Sequence, residues 1–272
     1  MELKTDLGTL AYDDTGSGPL VVCLPGMGDN RATYRHLTPL LVAAGRRVVT
    51  MDPRGQGASS AAWPSYAPAD TGADVLALIK HLDAGPATLV VNSFTGASAV
   101  WAAAQDPSAF SGIVLIGPFA RVMPRPNAAL RLVMKALGRS RPLWLAYWST
   151  LFKGGRPADF AAAQKQLSRQ LAEPGRMAAL RAQFAADVAP CEQRFDQVSV
   201  PARVVMGTRD PDFPDPAAEA RLIAGRLSGD VVMIDGAGHY PQAELPAETA
   251  RAVLGLSTGP GRSPGEVSTI AG

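Results

Sequence analysis

The chain has 272 residues, 47% of them apolar, with a formal net charge of +2: enough to bury a large core as one α/β domain, and too little charge to imply nucleic acid as a partner. No apolar run approaches the roughly 20 residues of a membrane span, and Met1-Glu2-Leu3-Lys4-Thr5-Asp6 lacks the basic-then-apolar pattern of a secretory leader, so the expectation is a cytoplasmic protein with no membrane partner. Two cysteines far apart, Cys23 and Cys191, read as buried reduced thiols, and no Cys/His spacing suits zinc; no metal and no organic cofactor is expected.

Short alternating segments around Gly8 predict a hairpin over residues 3–12, closed off by a Gly/Pro turn at 14–19. Residues 20–24 form a uniformly apolar strand that runs into Pro25-Gly26-Met27-Gly28-Asp29-Asn30, a turn whose glycines let main-chain amides approach a ligand. A helix over 32–44 ends at Gly45; a strand at 47–51 leads into the tight loop Asp52-Pro53-Arg54-Gly55-Gln56-Gly57, and a helix spans 68–82. Residues 88–92 are again a buried strand, followed by an Ala-rich helix that Asp106-Pro107 stops, then a strand at 113–116.

There the alternation breaks. From 119 to 195 the pattern shows only helical pieces, at 128–137, 143–152, 158–171 and 176–188, separated by Pro and Gly. The sheet resumes at 202–206, with a helix over 216–227, a strand at 231–234 and a last helix over 247–256. Repeated βα units imply an α/β fold with a doubly wound, mostly parallel sheet. The expected division is a core of 1–118 and 196–256, an inserted all-helical lid of 119–195, and a Gly/Ser/Pro-rich disordered tail of 257–272.

The chemistry gathers around Ser93, at the hinge between the strand at 88–92 and its helix, where a hydroxyl stands above the sheet and the first helical amides point at whatever binds beside it. A serine needs a base to take its proton. Of the three histidines, His36 and His81 sit within or at the ends of helices, whereas His239 lies in the Gly236-Ala237-Gly238 loop after a strand, where ligands of parallel sheets bind. A carboxylate to orient that base is expected from Gly207-Thr208-Arg209-Asp210: Asp210 first, with Asp212 and Asp215 as fallbacks that otherwise serve as turn or capping residues. Asp52 with Arg54 reads as a loop tie, and Asp235 as a turn residue.

The order Ser93, Asp210, His239 resembles the α/β-hydrolase fold superfamily of serine hydrolases, over the whole chain apart from the tail. The matching pieces are Pro25-Gly26-Met27-Gly28, Asp52-Pro53-Arg54-Gly55-Gln56-Gly57, the serine elbow, Gly207-x-x-Asp210 and Gly238-His239. The resemblance implies that the main-chain N–H groups of Phe94 and Met27 form an oxyanion hole. Two departures stand out: the family's Gly-x-Ser-x-Gly elbow has Val91 and Thr95 at its small positions, and Pro25 offers no N–H.

The expected activity is cleavage of an ester-like bond of a small to medium apolar substrate through an acyl-enzyme. The same three residues also serve carbon-carbon bond hydrolases, to whose branch Asn92-Ser93 is similar, and acyltransferases or thioesterases. A reading of another class is a catalytically weak, lidded binding protein whose elbow Val91 and Thr95 spoil. In the lid, Trp144, Tyr147, Trp148 and Phe152 recur at helical spacing and are candidates for the wall of an apolar pocket as well as for packing. Residues 121–194 carry thirteen Lys or Arg against four Asp or Glu. They read first as solvated helix faces and second as a positive rim for an anionic substrate or carrier. A small-molecule substrate is the one partner expected, and oligomeric state is left open.

Overall fold

Uniformly apolar runs make strands buried on both faces, and here they lie side by side in one sheet. The computed structural model describes residues 1–125, 127–256 and 267–271. Its strands are β1 (Glu2–Thr5), β2 (Gly8–Thr15), β3 (Leu20–Leu24), β4 (Arg47–Met51), β5 (Ala87–Asn92), β6 (Phe110–Ile116), β7 (Ala202–Gly207), β8 (Asp230–Ile234) and β9 (Val267–Ile270), in the order β1-β2-β4-β3-β5-β6-β7-β8-β9. The hairpin β1-β2 and its junction with β4 are antiparallel, and every other pairing is parallel.

Alternate residues of strands β3 to β8 feed two separate cores. Leu89 and Val91 of β5 face one, and Val90 faces the other. The first is covered by α2 (Pro68–Leu82) and α3 (Thr95–Gln105), packed against each other, and by α9 (Pro216–Arg226); the second by α1 (Leu37–Ala43) and α11 (Pro246–Leu254). Between β6 and β7 come α4 (Ala128–Leu137), α5 (Arg141–Thr150), α6 (Phe160–Leu171), α7 (Arg176–Phe184) and the single turn α8 (Ala189–Glu192), with no strand among the described residues. Another single turn, α10 (Pro241–Glu244), precedes α11. No helix of the described residues is long and apolar enough to cross a membrane.

Two local expectations need correction. The helix over 32–44 is split into a 3₁₀ turn at Arg31–Tyr34, whose first N–H groups the Asn30 side chain caps, and α1, which starts only at Leu37. The tail is not wholly irregular: Val267–Ile270 adds β9 in parallel to β8, which otherwise would present an open edge, and Ile270 packs on the second core. Composition spoke for disorder because Gly, Ser and Pro crowd 257–266; those residues and 272 lie outside the described ones.

Candidate active site

Because β3, β5, β6, β7 and β8 all run the same way, the loops leaving their carboxyl ends share one rim. Ser93 sits there between β5 and α3 at φ +60°, a left-handed conformation costly for a residue with a Cβ. Its main chain is held from three sides: its N–H donates to Ile116 O (2.9 Å), and its carbonyl accepts from Gly96 N (2.9 Å) and Phe119 N (3.0 Å). Gly26 must lack a side chain, because a Cβ there would stand 2.8 Å from Ser93 Cβ. The unusual elbow residues do not crowd the serine. Val91 is fully buried in the core under the sheet, and Thr95 turns its hydroxyl back to Asn92 O at 2.8 Å, with Pro25 O at 3.2 Å.

His239 is 1% exposed and fixed at main chain and ring alike. Its N–H donates to Leu151 O (2.9 Å) and its carbonyl accepts from Asn92 Nδ2 (3.2 Å), which ties the loop after β8 to the residue next to Ser93. Ring Nδ1 and Asp210 Oδ2 are 2.7 Å apart, so the carboxylate makes Nδ1 the protonated nitrogen of a neutral ring. Gly117 (φ +50°) passes so near that a Cβ would come 3.1 Å from both Asp210 Oδ2 and His239 Nδ1. This Gly117 contact brings the Asp210–His239 pair to the end of β6, whose Ile116 holds Ser93.

The Nε2 edge of the ring has its own carboxylate, Asp212, with Oδ2 at 3.7 Å. Asp212 is fixed by Tyr147, whose hydroxyl donates to Oδ1 (2.7 Å), and its N–H donates to Asp210 Oδ1 (3.0 Å). Burial lowers the imidazole's proton affinity, but Asp210 and Asp212 outweigh it, and the His239 pKa is pushed up to about 9. Burial raises the Asp212 pKa as well, against the pull of His239. Asp210, Asp212 and His239 present donor atoms within 4.8 Å of one another, the grouping a cation would find here.

The Ser93 hydroxyl makes no hydrogen bond among the described residues, and the N–H groups of Met27 and Phe94 likewise donate to no other group there. Asp215 accepts from Ala218 N (2.9 Å) as the cap of α9. His36 meets Asp159 (3.0 Å) and His81 meets the Tyr12 hydroxyl (3.3 Å), both away from Ser93. Asp52 binds the N–H groups of Arg31 (2.7 Å) and Ala58 (2.8 Å), and Arg54 grips Asp74 with two 2.8 Å bonds, so both tie loops. Asp235 accepts from the Thr208 hydroxyl (3.1 Å). Cys23 and Cys191 are buried and unbridged.

Of the four aromatics, Trp144 and Trp148 are buried against the turn after β3: Trp144 Nε1 donates to Gly28 O (3.0 Å) and Trp148 Nε1 to Asp29 Oδ2 (3.3 Å). Phe152 lies just past the end of α5 and stacks on Tyr240, 4.8 Å between centroids. Tyr147 alone of the four reaches a carboxylate beside His239. Two groups play parts that the sequence did not assign to them. Asp29, inside the turn, is a buried carboxyl pushed up to about 6 by desolvation, against the bonds from Asn30, Trp148 and Tyr240 and the charge of Arg35. Asn92 ties two loops, and only its place before the serine marked it.

The family profile of the alpha/beta hydrolase family matches residues 21–252, which takes in all three residues and both N–H donors. The chain belongs to that family. Among relatives, this α/β-hydrolase is 32% identical over 237 residues to the polyketide synthase ThaQ of Burkholderia thailandensis, covering 82% of this chain but 11% of that protein. It is 28% identical over 272 aligned residues to the 2-(acetamidomethylene)succinate hydrolase of Mesorhizobium japonicum, 92% of each chain. An α/β-hydrolase fold protein from Burkholderia ambifaria superposes with a TM-score of 0.80 at 21% identity, over 93% of this chain and 96% of that one. Its parallel sheet and flanking helices are those of the fold.

Proposed function

We propose that this α/β-hydrolase is a serine hydrolase that cleaves an ester-like bond of a small to medium apolar substrate through an acyl-enzyme. Ser93 Oγ attacks the carbonyl carbon as its proton passes to His239 Nε2. Asp210 keeps Nδ1 protonated and stabilises the imidazolium that forms. The oxyanion is received by the N–H groups of Met27 and Phe94, and loss of one such donor typically costs about 10²–10³ in rate. His239 then returns the proton to the leaving oxygen, and water, activated by the same ring, releases the acid. No metal or cofactor enters this sequence of steps.

The observation that carries the reading is the 2.7 Å Asp210–His239 bond, tied through Asn92 to a serine held at φ +60° beside two unengaged main-chain donors. Residues 119–195 act as the lid, with Tyr147 and its aromatic neighbours walling the acyl pocket. A thioesterase or acyltransferase role on the same residues is favoured by one fact, the polyketide synthase segment among the relatives. Against the binding-protein reading, Val91 faces the core and Thr95 closes the elbow with a hydrogen bond.

A panel of p-nitrophenyl esters of rising acyl length, matched thioesters and anilides tests this. Turnover should favour one ester or thioester length, with a pre-steady-state burst, and vanish in Ser93→Ala. Turnover that survives Ser93→Ala would overturn the mechanism, and preference for the anilide would overturn the ester assignment.

A further inference from the structure

Helix α4 is the one α-helix among the described residues with no buried side chain. Leu130, Leu132 and Val133 on it are 50%, 68% and 51% exposed, with Val122 upstream at 50% and Leu143 downstream at 47%. Half of the strongly exposed large apolar side chains of the described residues thus fall in this one short stretch, whereas soluble surfaces ordinarily scatter them singly. A ten-residue helix is marginal by itself and normally earns its stability by packing one apolar face; α4 packs only its last apolar residue, Leu137, on the cluster around Trp144 and Trp148 and leaves Leu130, Leu132 and Val133 largely in water.

Beside that face runs a second feature. A groove of about 620 Å³ lies between α4 and the end of α7, with Arg131, Lys135, Arg139 and Arg181 around a floor that includes Met134 and Phe184, and no carboxylate among its lining residues. None of these four cations pairs with an acid among the described residues, although Arg31, Arg54, Arg121 and Arg203 elsewhere each do. Four uncompensated positive charges along one groove repel one another, and an anionic partner relieves that repulsion.

We propose that α4 and this groove form a peripheral docking face for an anionic lipid surface. A small anion in the groove would meet the cations and leave Leu132 and Val133, which do not line it, in water. A second copy of the chain packed on the same face would bring its four cations onto these four. A headgroup layer satisfies both stripes at once: the apolar side chains enter the acyl boundary while the cations meet lipid phosphates. The expectation of no membrane partner rested on the lack of a spanning run and does not bear on a helix that lies in the interface. This docking is independent of the chemistry at Ser93.

The test is flotation of the full chain with phosphatidylcholine vesicles and with vesicles carrying 30% phosphatidylglycerol. Binding should be confined to the anionic vesicles and should fall in 0.5 M salt. Arg131→Gln with Lys135→Gln should weaken it roughly 30-fold, at about fivefold per cation. Leu132→Ser with Val133→Ser should abolish it, while circular dichroism and melting stay as in the parent because neither side chain is buried. No binding to either vesicle, equal binding to both, or unchanged binding by the two double variants would overturn the proposal. So would a concentration-dependent dimer that Leu132→Ser with Val133→Ser dissolves, since the face would then belong to a second copy, or anion-vesicle binding replaced by capture of an acidic protein at equal salt.

Discussion

Helices α4 and α5 are neighbours of equal length, each ten residues and each capped at its start by a side chain, Asn127 for one and Ser140 for the other. They share almost nothing else. Helix α5 buries Trp144 and Trp148 and sends three polar aromatic atoms to Gly28, Asp29 and Asp212, around the rim where Ser93 and His239 lie. Helix α4 buries no side chain and carries unpaired cations. The difference teaches that a single inserted segment divides its labour: one helix is built into the site and the next faces outward. Changes under or on α5 should therefore disturb chemistry and stability, and changes on α4 neither.

The largest effect is expected at the rim that α5 covers. Asp210→Asn keeps the shape of the pair but no longer fixes the Nδ1 proton, and kcat for an activated ester should fall by about 10⁴-fold. Its sign with pH is set by the raised His239 pKa, about 9. A raised pKa adds stability that is fully present below the unfolded value near 6.5 and is lost as pH climbs through 9. The melting temperature of Asp210→Asn should thus trail the parent most near pH 6 and converge with it above pH 9.

Next comes Trp148→Ala on α5, which empties a buried ring site and strips a bond from the buried Asp29; denaturant unfolding should show a loss of about 3–5 kcal/mol. Smaller, and opposite in sign for activity, is Asp212→Asn. With one of the two carboxylates beside the ring neutralised, the rising limb of kcat/KM, expected near pH 9 in the parent, should move to lower pH and lift the rate at pH 7 by up to about tenfold. Tyr147→Phe, which frees Asp212 without discharging it, should leave that limb where it is or raise it. The smallest effect separates the two helices: Arg131→Gln with Lys135→Gln on α4 should change stability by less than about 0.5 kcal/mol and ester turnover not at all.

How much of this the sequence held depended on the range of the forces involved. The strands around Val21 to Leu24 and Leu89 to Val91 were legible because burial on both faces leaves no polar alternation to misread. Ser93, Asp210 and His239 were legible because each follows such a run. Asp212 was seen only as a substitute for Asp210, yet the two approach opposite nitrogens of one ring; two carboxylates a residue apart in a turn give no sign of that until the ring stands between them. The spacing of Trp144, Tyr147 and Trp148 announced a helix face, but its polar partners arise from how α5 docks, which no local pattern encodes. In the same way Val91 and Thr95 looked obstructive in sequence, and only the register of β5 shows one pointing to the core and the other closing the turn by a hydrogen bond. Strand β9 was hidden because four residues that pair with β8 follow a stretch whose composition opposes order.

The most direct measurement is treatment of the folded protein with a fluorophosphonate, followed by peptide mass spectrometry. A single adduct on Ser93, formed faster as pH rises toward 9 and absent from Ser93→Ala, is the expected result. No adduct at Ser93 in protein that remains folded, or labelling that is equally fast in His239→Ala, would contradict a hydroxyl activated by that imidazole.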